Sequence, residues 1–266
     1  MDALPGKDTT ADLARKAGLA PVSIVLSGPL EAPANSETTL DPNRDIYPAS
    51  MIKTPLVAAA LADVADGRLK LSDRFEVSSA NMTFNDAPSP LHTGAWARLD
   101  EICELAISRS DNVATNMLFD AVGRERATRI VNERFGLRAT AFHRKLSGSD
   151  PLIDDPQWDG VHHNAHPALD AAALFTLIAL DRIPHADLVR GALVRQYWND
   201  KLSKGLRAGD RFAHKTGDTN DVTHDGGILT TGDGRTFVIV VYTAMSSTSE
   251  NNARFAPFME TLRALL

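Results

Sequence analysis

The run Pro21-Val22-Ser23-Ile24-Val25-Leu26-Ser27-Gly28 constrains this chain more than any other. It is short, rich in β-branched residues and bounded by turn formers, so it reads as a strand. A lone strand is not stable, and it has to pair with others. The segments that follow read as helices, and strand patterns return only in the last third. Arg211 to Thr216 is one; Gly226 to Thr231 and Thr236 to Thr243 form a hairpin around Gly232-Asp233-Gly234. The first strand therefore joins the last ones in a single antiparallel sheet, with the helical block inserted between them. This order implies an α+β fold, a sheet flanked by helices with an all-helical insertion. Residues 1–45 and 190–266 form the sheet part and 46–189 the helical part of one structural unit.

Residues 8–17 read as a helix with Thr9 or Thr10 as cap, and a polar, turn-rich stretch runs from the first strand to about Tyr47. From Ser50, the residues Ile52, Leu56, Ala59, Ala60 and Val64 share one helical face, and Gly67 supplies the stop. Helices are expected over 99–108, 111–122, 124–135, 167–180 and 186–198, with a closing amphipathic helix over 249–266. The stretch 144–166 lacks periodicity and is rich in Asp, His, Pro and Gly. A loop this long is usually functional or disordered.

Composition narrows the function classes. The 266 residues are 43% hydrophobic and 23% charged, an ordinary globular balance, with a net charge of −6. That acidity disfavours a nucleic-acid or anionic-membrane partner. The single cysteine, Cys103, excludes an intramolecular disulfide and falls in an apolar helical pattern. No apolar run approaches the ~18 residues of a membrane span. The start, Met1-Asp2-Ala3-Leu4-Pro5-Gly6, has no basic or apolar leader region. As written the chain reads as cytoplasmic, or as periplasmic or secreted if a signal peptide has been removed. A monomer is expected.

Three short motifs carry chemistry. Ser50-Met51-Ile52-Lys53 puts a hydroxyl and an amine on the same side of a helix start, where a neutral amine can take the serine proton. The positive end of the helix dipole lies under any oxyanion formed there. Ser110-Asp111-Asn112 precedes an apolar helix, where Ser and Asp are also ordinary caps. His214-Lys215-Thr216-Gly217 lies on a strand and can present a cation and a hydroxyl, with Gly217 allowing close backbone approach.

In this order and spacing, the three motifs resemble those of the class A β-lactamases and related penicillin-recognising serine hydrolases. The likeness extends over nearly the whole chain. It implies that Ser50 is the nucleophile of an acyl-enzyme and that Lys53 activates it, directly or through water. It implies that Ser110 relays a proton to the leaving nitrogen, that Asn112 binds the substrate side chain or holds Lys53, and that Asp111 is structural. Lys215, Thr216 and Gly217 would bind a substrate carboxylate, and the backbone N–H groups of Ser50 and Asp218 would form the oxyanion hole. The family often adds an arginine near this strand. None stands on the adjacent one, and Arg254 is the substitute expected. No cofactor is implied.

One departure bears on mechanism. The family carries a loop glutamate that positions the hydrolytic water. Here the loop reads Arg144-Lys145-Leu146-Ser147-Gly148-Ser149-Asp150, with Leu146 in the glutamate's place and no glutamate anywhere between Glu133 and Glu250. Asp150 is the first replacement considered, followed by Asp154, Asp155 and His143, and Lys53 acting twice is an equal alternative. The resemblance also implies an Arg144–Asp159 ion pair. His162, His163 and His166 raise a zinc reading, but no His-Glu-x-x-His motif accompanies them and no metal is expected. The function expected is hydrolysis of a β-lactam or similar carboxylate-bearing, peptide-like amide through acyl-Ser50. The alternatives are a D-alanyl-D-alanine-type peptidase, an esterase, and a non-hydrolysing acyl- or ligand-binding protein.

Overall fold

A computed structural model of the chain describes residues 4–32, 36–148 and 150–266. Three residues of the polar stretch (33–35), the first three residues of the leader reading, and Ser149 of the loop lie outside them.

Five strands, β1 (Val22–Gly28), β2 (Ser36–Leu40), β5 (Arg211–Asp218), β6 (Thr223–Thr230) and β7 (Thr236–Thr243), form one sheet in the order β2-β1-β7-β6-β5. All four pairings are antiparallel. The N-terminal strand β1 lies against the C-terminal β7, as its isolation in the sequence requires. β2 is an edge strand that the sequence reading leaves as turn. Its Ser-Glu-Thr-Thr-Leu composition carries little apolar signal, and pairing with β1 supplies the order. A two-stranded ribbon, β3 (Arg74–Glu76) with β4 (Trp96–Arg98), is also absent from the sequence reading.

Strand β7 reads Thr-Phe-Val-Ile-Val-Val-Tyr-Thr because both faces of the sheet are covered, which replaces alternation by a continuous apolar run. Phe237, Ile239 and Val241 face helix α1 (Lys7–Lys16) and the closing helix α9 (Phe255–Leu265), among Leu13, Phe258 and Leu262, while the short helix α8 (Ser249–Ala253) precedes α9 and buries none of its residues. Val238, Val240 and Tyr242 face the larger core, built on helices α2 (Lys53–Ala65), α3 (Leu99–Ser108), α4 (Asn112–Val122), α5 (Arg124–Phe135), α6 (Ala168–Ala179) and α7 (Ala186–Val194). The closing helix expected in one piece is broken at Arg254, and α7 ends short of 198.

Helix α2 is the axis of the helical part. Every residue from Lys53 to Asp63 is buried, and its alanines let neighbouring helices approach closely. Cys103 is buried in α3, where burial pushes its thiol up to about 12. Among the described residues no helix is long and apolar enough to cross a membrane.

Candidate active site

The three motifs meet at the free edge of β5. Ser50 lies in a 3₁₀ turn, Ala49–Ile52, that runs directly into α2. Ala49 before it has φ +47°. A non-glycine residue in this region is strained, a condition that collects at functional sites. Gly217 of β5 packs against this turn. A Cβ there would stand 2.9 Å from the Pro48 carbonyl oxygen, so only glycine lets the strand edge approach the serine.

Lys53 opens α2 and is fully buried. Its Nζ donates to Ser110 Oγ (3.1 Å), to Asn112 Oδ1 (2.7 Å) and to the Ser110 carbonyl oxygen. Burial, reinforced by the positive charge of Lys215, holds its pKa well below the usual lysine value. The amine is thereby available as a base.

Ser110 adopts φ +57°, a second strained non-glycine residue. Asp111 caps α4 through Ala114 N (2.9 Å), the structural role expected of it. Asn85 braces the motif from outside by accepting from Asn112 N (2.6 Å) and donating to Asp111 Oδ1 (3.2 Å). Asn112 Nδ2 donates to Phe84 O (2.9 Å), which turns its Oδ1 to Lys53.

Just past the end of β5, Thr219 N–H donates to Val222 O (2.9 Å). The neighbouring pair Asp218–Thr223 is therefore a non-hydrogen-bonded pair, and the Asp218 N–H points away from β6 toward the free edge. That is the direction an oxyanion-hole donor needs. Thr216 and Asp218 share the face that lines the cleft. Lys215 is fully buried and donates to Thr216 O (2.9 Å); burial brings its pKa down to about 7.

The resulting cleft has a volume of about 560 Å³ and brings Ser50, Ser110, Asn112, Thr216, Asp218, Leu146 and Asp150 together on its walls. Leu146 stands in the cleft with its backbone fixed by Asn116. Asp150 is exposed on the rim.

Several expectations are corrected. The Arg254 guanidinium donates to Gly18 O (2.9 Å) and pairs with Glu250 (2.9 Å), which ties the closing helices to the end of α1 rather than serving the cleft. Arg144 does not pair with Asp159. It lies over the Trp158 ring, while Asp159 accepts from His162 and closes its own turn. Asp155 pairs with Arg124 and accepts from Lys145 N (2.8 Å), so it braces the loop. His143 packs against His162. Neither Asp155 nor His143 lines the cleft, and nor does Asp154. His166 is buried, accepts or donates at Thr140 Oγ1 (2.8 Å), and burial brings it down to about 3. Among the described residues no group of three or more His, Cys, Asp or Glu side chains is placed to hold a metal ion.

Lys201 is the residue the motifs do not reveal. It is buried beneath the cleft, with Nζ donating to Asp218 Oδ1 (2.6 Å) and His224 O (2.9 Å). Lys201, Asn85 and Asp86 reach the site from irregular segments where neither periodicity nor a motif marks them.

Comparison with known families gives a match over residues 21–261, to the beta-lactamase enzyme family. The chain belongs to that family. A curated beta-lactamase of Rhodobacter capsulatus is 39% identical over 74 residues, which span 28% of this chain and only 25% of that relative. The beta-lactamase of Sphaerobacter thermophilus superposes with a TM-score of 0.81 at 23% identity, covering 98% of each chain. A leucine-to-glutamate variant of PBP-A, solved as its acyl-enzyme complex with penicillin G, superposes with a TM-score of 0.77 at 22% identity, over 98% of this chain and 97% of that one. At such identities the two superpositions speak for the fold. The beta-lactamase fold of this family member is the α+β arrangement its strand order implies.

Proposed function

We propose that this beta-lactamase family member is a serine hydrolase that opens a β-lactam or a similar amide through an acyl-Ser50 intermediate. The observation that carries the reading is the buried Lys53 amine. It stands three residues from Ser50, is hydrogen-bonded to both Ser110 and Asn112, and has its pKa driven down by burial.

The neutral Lys53 amine takes the proton from Ser50 Oγ, directly or through water, as Oγ adds to the carbonyl carbon. The oxyanion is stabilised by the backbone N–H groups of Ser50 and Asp218, one on the helix-start turn and one on the sheet edge. As the C–N bond breaks, Ser110 passes a proton to the leaving nitrogen and recovers one from the Lys53 ammonium. This leaves an ester on Ser50. Water then hydrolyses the ester, with Asp150 or Lys53 as base.

A second reading is favoured by Leu146. A leucine in the cleft cannot activate water, so the acyl-enzyme would persist, as in a penicillin-binding peptidase. A chromogenic cephalosporin separates the two. A burst followed by turnover supports hydrolysis of β-lactams, and a burst alone supports the trapping reading. Ser50→Ala removes both. Full activity in Ser50→Ala would end the nucleophile assignment.

A further inference from the structure

Residues 196–199 lie between the end of α3 and strand β5 and are bonded to both. Gln196 is buried, and its Nε2 donates to Ile107 O (3.2 Å) and His214 O (3.2 Å). Tyr197 N donates to Ser108 O (2.8 Å), and Trp198 N to Gln196 Oε1 (3.3 Å). Asn199 Nδ2 turns back to Gln196 O (2.6 Å), and its Oδ1 accepts from His214 Nε2 (3.1 Å). These bonds fix the backbone of two consecutive aromatic residues. Trp198 lines the cleft, and Tyr197 stands just outside it, 53% exposed. The two rings meet edge to face, with centroids 5.1 Å apart.

Arg109 continues this strip. It immediately precedes Ser110, and its guanidinium lies 5.8 Å from the centre of the Tyr197 ring, within cation–π range. Its Nη1 also reaches Pro88 O (3.5 Å), in the segment whose Asp86 lines the cleft. Arg109 thus bridges two cleft walls at the Ser110 end. It is exposed and, among the described residues, makes no ion pair, although the chain carries a net charge of −6. Apolar ring area left in water is costly, and a flat group laid over it recovers that cost. Rings held in place also lose little freedom on binding. The planar guanidinium keeps N–H groups for an anion. In the acylation reading Ser110 passes its proton to the leaving group, so this strip extends the cleft on the leaving-group side.

We infer that Trp198, Tyr197 and Arg109 form a subsite for substrates whose leaving portion carries a flat ring followed by an anionic group. The ring covers the two aromatics and the anion pairs with Arg109. This rests on the acyl-Ser50 reading and names the substrate class of that same site. The three residues touch the leaving portion and not the reacting atoms, so they set specificity.

The test uses phenylacetyl thioesters of three thiols. These are 4-(mercaptomethyl)benzoate, its neutral carboxamide, and 6-mercaptohexanoate, which has similar reach and no ring. Ser50 Oγ adds to the thioester carbonyl, the C–S bond breaks, and the sulfur leaves with the proton from Ser110. A thiol reagent reads the second-order rate of release, and each rate is divided by that of the same thioester with hydroxide. On the wild-type chain the benzoate should exceed each of the other two by about fivefold. Arg109→Gln should bring the benzoate and its carboxamide to parity. Tyr197→Leu and Trp198→Leu should each shrink the advantage of the benzoate over the hexanoate. Should Arg109→Gln not fold, a second neutral variant, Arg109→Met, reads the same ratio. Equal wild-type rates for the benzoate and its carboxamide overturn the inference while acylation through Ser50 stands. So does a charge preference that survives Arg109→Gln, or a ring preference that survives both aromatic variants. Thiol release that persists in Ser50→Ala, or none from any thioester together with no adduct, overturns the underlying acyl-Ser50 reading and this inference with it.

Discussion

Asn116 of α4 holds both backbone groups of Leu146. Its Oδ1 accepts from Leu146 N (2.8 Å) and its Nδ2 donates to Leu146 O (2.9 Å). The amide fixes where the side chain at 146 points, whatever that side chain is. In this chain the residue so held is a leucine, packed into the main core and lining the cleft where the proposed mechanism needs a base.

Replacing Leu146 by Glu should therefore separate the two half-reactions. The backbone clamp remains, and the new carboxylate stands in the cleft with Ser50 and Ser110. Decay of the acyl-enzyme should quicken by roughly 10²-fold, the usual worth of a positioned general base, with a much smaller change in acylation. Time-resolved intact mass of the acylated protein measures both. Unchanged decay would mean that the base is already supplied by another group.

Gly148 tests how firmly the loop is seated. A Cβ on it would collide with the Phe84 carbonyl and come within 2.8 Å of Asn112 Nδ2. The first contact is backbone and cannot yield. Gly148→Ala should lower stability by about 1–3 kcal/mol, the range for overpacking, and should weaken the Asn112–Lys53 contact as the segment around Phe84 shifts. Chemical denaturation and acylation rate read the two effects.

The buried Lys215 gives a stability signature in alkali. Its pKa is about 7 in the fold and near the ordinary 10.5 when unfolded. Between these values the unfolded chain binds the extra proton, so this residue makes stability rise with pH across that window. Its contribution is least favourable below about pH 7, where the buried amine must carry charge. Urea unfolding at about pH 7 and about pH 9 should show a smaller rise in Lys215→Met than in the wild type.

His224 acts on the acid side. It is stacked on Tyr242, its Nδ1 accepts from Thr243 N (3.1 Å), and its Nε2 therefore donates to Tyr47 O (2.8 Å) in the segment leading to Ser50. Burial lowers its pKa from 6.5 to about 4. The neutral ring contributes stability that is complete above about pH 6.5 and is lost as pH falls through about 4. His224→Asn should reduce this acid dependence without abolishing it, because His166 is depressed by burial as well. Denaturation midpoints at about pH 7 and about pH 4.5 would show it.

The parts of the fold legible in the sequence were those with strong local signals. The isolation of β1, the helical face of α2 and the Asp-Gly hairpin between β6 and β7 each depend on neighbours in the chain. β2 and the β3–β4 ribbon were not legible, since they are ordered by the strands beside them rather than by an apolar pattern of their own. The same division holds at the site. Ser50, Lys53, Ser110, Asn112, Thr216 and Gly217 sit in compact motifs, and the structure brings them together. Likeness alone points to Arg254 and to an Arg144–Asp159 pair, and at both positions this chain makes other bonds. Lys201 reaches Asp218 across the fold from a segment without periodicity, so no local pattern announces it.

The central claim is that Ser50 is acylated through Lys53. Intact-protein mass spectrometry after mixing with penicillin, sampled over time, tests it most directly. The account predicts a mass increase of one penicillin, mapped to Ser50, absent in Ser50→Ala and strongly slowed in Lys53→Met. An unmodified Ser50 at all times, or an adduct that forms equally in Ser50→Ala, would contradict it.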